Sequence, residues 1–156
     1  MSVKSQFLDK LQARQPAPVS SVSKSQADIA EFRLRMTQLQ EQMDVWLEGT
    51  GLNVEAYSTS VTDLLVENGT FEITALVLRI DDRSVKFVPA FLYGQGVTGC
   101  VEATFRDGRH TTSLGRLFMR SGMVNNWTFS PPGTLSRPGQ HFDESIFFDL
   151  ILALLP

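Results

Sequence analysis

A chain of 156 residues has the length of one domain with a hydrophobic core of its own. Its 42% hydrophobic and 20% charged residues and net charge of −3 suit a soluble globular protein and lack the basic excess that nucleic-acid binding calls for. A single cysteine, Cys100, excludes an intrachain disulfide and a cysteine-rich zinc site; with no apolar run of about 18 residues and no apolar signal core at the N-terminus, a cytoplasmic protein without a membrane partner is expected.

Residues 1–24 carry Lys4, Lys10, Arg14 and Lys24 against Asp9. Phe7, Leu8 and Leu11 suit a short amphipathic turn, and Pro16, Pro18 and the following serines read as linker. This segment is expected to be a flexible or partner-docking tail, with residues 25–156 forming one domain.

The strongest pattern lies in residues 25–48. Ile29, Phe32, Met36, Leu39, Met43 and Trp46 recur at alternating spacings of three and four, which predicts a long helix with one dry stripe. Ser25 to Asp28 has the form of a cap, Glu31 and Arg35 are placed for an i, i+4 pair, and Gly49 supplies a stop. Val45 and Leu47 broaden the stripe near its end, as packing on the chain's own sheet requires. The strict seam equally suits self-association between helices.

From residue 52 to about 130 the period changes to two. Leu52, Val54 and Ala56 alternate with polar neighbours, as do Phe71, Ile73, Ala75 and Val77, while Leu76, Leu78 and Ile80 make the end of that run apolar on both sides. Asp81-Asp82 turns the chain into Val85–Val88. Val101, Ala103 and Phe105 form the next strand, Asp107-Gly108 the next turn, and Leu114–Met119 and Trp127–Ser130 the last strands. Proline and glycine at 131–133 and 138–139 close the run, and Asp143 caps an apolar helix over 143–155 that buries Ile146, Phe147, Leu150, Ile151 and Leu154. The predicted fold class is α+β: a long N-terminal and a short C-terminal helix packed on an antiparallel sheet of five or six strands.

Little of the sequence points to chemistry. Gly94-Gln95-Gly96-Val97-Thr98-Gly99 fits the letters of a dinucleotide fingerprint, but the residues that follow alternate like a strand, whereas the pyrophosphate needs a helix N-terminus. No cofactor is therefore expected. A turn centred on Asp107-Gly108 would set Phe105 against His110, Val101 against Leu114 and Cys100 against Gly115, which separates the thiol from the imidazole and argues against a nucleophile–base pair. His110 and His141 lack metal-ligand spacing. Asp81-Asp82 and Asp143-Glu144 fall where a turn and a cap need acids. Arg106, Arg109, Arg116, Arg120 and Arg137 gather on the late strands and read as a solvated sheet face.

Charge asymmetry remains. Residues 25–78 hold two basic and nine acidic groups, a net of −7, against +3 before and +1 after. With no catalytic constellation, the expected function is that of a non-catalytic protein-binding module acting on a cognate, basic partner, such as an inhibitor, immunity-type antidote or chaperone. Glu41, Asp44, Glu48, Glu55, Asp63 and Glu67 are the candidate contacts. The alternative is a structural assembly protein that self-associates through Ile29, Phe32, Met36, Leu39, Met43 and Trp46; an enzyme with an unrecognised site ranks third.

Overall fold

The computed structural model describes residues 3–7, 16–63, 66, 69–94, 97–119, 127–132 and 140–155, with backbone alone over 16–24. The fold is α+β. Residues 3–7 form a short helix, followed by a long helix α1 (Pro16–Trp46), strands β1 (Glu55–Thr62), β2 (Thr70–Ile80), β3 (Arg83–Phe91), β4 (Cys100–Asp107), β5 (His110–Phe118), β6 (Thr128–Ser130) and β7 (Gln140–His141), a helix α2 (Glu144–Ile151) and a 3-10 turn (Leu152–Leu154). The strands make one antiparallel sheet in chain order, β1 to β7. Seven strands replace the five or six expected, because β7 is two residues long and leaves no periodic trace.

Helix α1 follows from its spacing. Ile29, Phe32, Met36, Leu39 and Met43 are buried, and Trp46 packs beside them. Each such apolar side chain contributes about 1.5–3 kcal/mol when removed from water. Gly49, at φ +83, leaves the helical region, and the Thr50 hydroxyl donates to the Leu47 carbonyl at 2.6 Å, so one freed acceptor is satisfied. The cap expected at Ser25–Asp28 is absent, since helical backbone begins at Pro16. Proline lacks an N–H that the first helical turn does not use, so Pro16 and Pro18 open the helix where they were read as linker. Asp28 lies within the helix, buried, and its carboxylate accepts the Tyr93 hydroxyl at 2.6 Å. Leu47 joins the core, but Val45 faces solvent and does not broaden the stripe.

The sheet supplies the facing layer. Leu76 pairs with Phe87, Phe87 with Ala103, and Ala103 with Gly115, so one row of core residues crosses four strands. In β2 the core side changes from Phe71 and Ile73 to Leu76 and Leu78. Pairing with β1 runs from Thr70 to Val77 and pairing with β3 from Leu76 to Ile80, so the two overlap at Leu76 and Val77 in the run that is apolar on both parities. Arg33 Nε donates to the Glu72 carbonyl at 2.9 Å and fastens α1 to β2.

At the other end the Asp143 carboxylate accepts the Ile146 N–H at 3.0 Å, the cap that opens α2. Phe147 is fully buried among Trp46, Phe87, Phe142 and Phe148, with ring centroids 5.2–6.4 Å away. The two helices are thus joined through one aromatic cluster that includes the centre of β3.

The β4–β5 register departs from the expected one. Asp107 pairs with His110, so Gly108 and Arg109 form the turn, and a shift follows between Ala103 and Thr104. Phe105 therefore faces Thr112, Val101 faces Leu117 and Cys100 faces Phe118. The extra residue is Leu114, skipped between the paired Ser113 and Gly115, and this β-bulge is invisible to an alternation count.

Candidate functional site

The outward side of α1 is the most distinctive surface among the described residues. Leu34, Glu41 and Val45 are spaced by seven and four, so they stand in line on one ridge. Leu34 is 56% and Val45 61% exposed, and Glu41, Asp44 and Glu48 are exposed around Val45. Two large apolar side chains thus lie in water on a helix whose opposite face is fully used by the core.

The six acids proposed from sequence do not form one patch. Glu41 and Asp44 share α1, and Glu48 sits in the turn just beyond it. Asp44 Oδ1 accepts the Val54 N–H at 3.5 Å, which brings the start of β1, and so Glu55, to this corner. Glu55 also lies 3.8 Å from Arg79 across two exposed side chains, a pair worth under about 1 kcal/mol in water. Asp63 is eight positions further along the chain, about 26 Å at strand rise, and its Oδ2 accepts the Tyr93 N–H at 3.0 Å. Glu67 lies outside the described residues. The seam proposed for self-association is occupied internally: its six residues pack in the chain's own core.

Beside the ridge a cavity of about 330 Å³ is lined by Arg35, Gln38, Leu39, Gln42 and Trp127. Arg35 is buried and lies 3.5 Å from Glu31, the i, i+4 pair expected from spacing. A second hollow of about 340 Å³ sits at the tip of the sheet, where register gathers Arg79, Lys86 and Arg106 from three strands beside Arg83, Asp81 and Asp82. Arg106 was expected in a basic group with Arg109, Arg116, Arg120 and Arg137. Arg116 instead pairs in register with Glu102, away from the tip, and Arg120 and Arg137 lie outside the described residues.

Within the glycine-rich segment residues 95 and 96 lie outside the described residues. Gly94 and Val97 exchange backbone hydrogen bonds at 3.2 and 3.3 Å, and the Met119 N–H donates to the Gly99 carbonyl at 3.0 Å. The segment then enters β4, a strand, where the fingerprint needs the N-terminus of a helix. Gly99 is needed for closeness: a Cβ there would lie 2.6 Å from Met119 Cγ and 3.2 Å from the Phe32 ring. Among the described residues no group of three His, Cys, Asp or Glu side chains is placed to hold a metal, and no helix is long and apolar enough to cross a membrane.

Cys100 and His110 are far apart. His110 pairs with Asp107, about 23 Å along β4 from Cys100 at strand rise. Cys100 is buried, and burial, offset in part by Arg116 and reinforced by Glu102, pushes its thiol up from 9.0 to about 12. The neutral thiol is the form the fold favours. Its contribution to stability is therefore complete below pH 9 and is lost as pH rises toward 12. At pH 8 an aromatic disulfide reagent is expected to leave native Cys100 untouched and to modify it only after denaturant is added. Rapid stoichiometric modification of the native chain would contradict this burial.

The Tyr93–Asp28 contact was not foreseen. Its partners are 65 positions apart, and nothing in their local patterns announces the pairing. Burial first, then the hydrogen bond to Asp28, raises the Tyr93 hydroxyl above its ordinary value. Comparisons with protein-family models, curated proteins and solved structures found no match.

Proposed function

We propose that the chain is a non-catalytic protein-binding module that docks a basic partner on the outward ridge of α1, as an inhibitor, immunity-type antidote or chaperone would. One observation carries this reading: Leu34 and Val45 are more than half exposed in line with Glu41, with Asp44 and Glu48 alongside. Apolar side chains ringed by charge are the make-up of an interface centre with a polar rim. Like charges at this spacing cost the free helix a few tenths of a kcal/mol per pair, a cost that a basic partner reverses. Glu55 extends the rim at the corner, whereas Asp63 is engaged with the Tyr93 backbone inside the fold. Glu67 is the remaining candidate from the acidic segment.

The test places a photo-crosslinking residue at Val45, and at Ser113 on the sheet as a control, and isolates what each captures. For a protein caught at 45 alone, changing Glu41, Asp44 and Glu48 to lysine is expected to slow association about tenfold or more at low salt, because rim charges steer the encounter. An on-rate unchanged in the folded triple variant would remove the ridge from the interface.

A further inference from the structure

We propose that β1 is an open sheet edge that pairs antiparallel with β1 of a second copy of this chain, about a two-fold axis at Ser58. Strand order leaves β1 and β7 at the edges, and the two differ sharply. An edge is ordinarily blunted by shortness, lysine, proline or a bulge. At two residues, β7 is too short to template another strand. By contrast, β1 has eight residues, pairs with β2 from Glu55 to Thr62 without a register shift, and contains no Pro, Gly or Lys. Six of its eight residues are exposed. Among the described residues its ladder hydrogen bonds run to β2 alone.

The second copy is the occupant that the sequence of β1 fits. A two-fold normal to a sheet pairs residues of the same face, so the two positions in each pair sum to an even number. Centred on Ser58, it sets Tyr57 against Thr59, Ala56 against Ser60 and Glu55 against Val61 of the other copy. Glu55 is the only charged residue in the strand, and this register sets no like charge against it. Moving the centre by one residue, to Thr59, would oppose Glu55 to Asp63, a like-charge pair that disfavours that register. The result is one continuous sheet across two copies. This contact meets the α1 ridge only at Glu55, and either can fail without the other.

Light scattering and sedimentation of the full chain, from dilute to concentrated solution, test the pairing. The wild-type mass is expected to double with concentration. Ser58→Lys and Ser58→Glu each place like charges face to face at the two-fold, so each alone should hold the single-copy mass while keeping the wild-type circular dichroism. Mixed together, they should restore the double mass, since lysine then faces glutamate. Val45→Asp, on the α1 ridge, should leave the dimer intact. A wild-type chain that stays single at every concentration overturns the proposal. So does a dimer that survives both Ser58 variants, a mixture that stays single, or a dimer lost in Val45→Asp.

Discussion

Phe147→Ala is expected to cost about 3–5 kcal/mol, the range for removing a large aromatic side chain from a close-packed core. Phe147 is fully buried and lies within 6.4 Å of four other aromatic rings: Trp46 from α1, Phe87 from β3, Phe142 just before α2, and Phe148 next to it in α2. The surroundings cannot simply collapse inward, because Phe87 is fixed in a central strand. Helix α2 has only eight residues, too few to persist without its docked face. Urea unfolding should show a lower midpoint with the slope unchanged. Phe147→Leu, which keeps most of the volume, should cost much less and serves if the alanine variant does not fold. A loss below about 1 kcal/mol in the alanine variant would mean that the cluster is not tightly packed.

Gly115→Ala should be nearly as damaging for a different reason. Gly115 sits in the β5 bulge at φ +134, a conformation that side chains rarely adopt. A Cβ there would stand 2.6 Å from the Ser130 carbonyl oxygen and 2.6 Å from the Phe129 ring. The oxygen belongs to the backbone of the adjacent strand and cannot rotate away. Backbone strain of about 1–3 kcal/mol and overpacking of about 1–3 kcal/mol should therefore add to roughly 2–6 kcal/mol. Gly108→Ala isolates the first effect, since Gly108 has φ +59 and open space around its missing Cβ. Thermal unfolding of the two variants should rank Gly115→Ala well below Gly108→Ala. Equal melting temperatures would show that the bulge yields without strain.

Much of this architecture was legible because burial writes a period into the chain. The seam from Ile29 to Trp46 marked α1, alternation marked β2 and β4, and Asp143 marked the start of α2, whereas the run from Leu52 to Ala56 reaches only the first two residues of β1. The misreadings share a cause: they concern residues whose role depends on what lies across from them. Pro16 and Pro18 break a helix interior but suit its first turn, and composition alone does not say which position they hold. Val45 is apolar and near the stripe, yet it falls on the water side. The β4–β5 turn falls on Gly108 and Arg109 instead of Asp107-Gly108, and the bulge adds one more residue, so every expected pairing is displaced. The candidate site was half legible. Helix spacing placed Glu41, Asp44 and Glu48 together, whereas Glu55 and Asp63 are separated by the length of a strand and serve different neighbours. Exposure of Leu34 and Val45, which gives the ridge its apolar centre, could not be separated from core membership by hydropathy.

A strictly sequential sheet also sets the order in which a growing polypeptide can close. Each hairpin needs only its next strand, and the β2–β3 and β4–β5 connections span two residues each, so these contacts form at little loop entropy. The aromatic cluster is different. Trp46 and Phe87 leave the ribosome long before Phe142 and Phe147, the residues that cover them. Until then the sheet stands with one wall of its core missing and its oily side bare. A chain halted or clipped before residue 142 is therefore a natural client for chaperones and proteases, and arrival of residues 142–151 closes that wall.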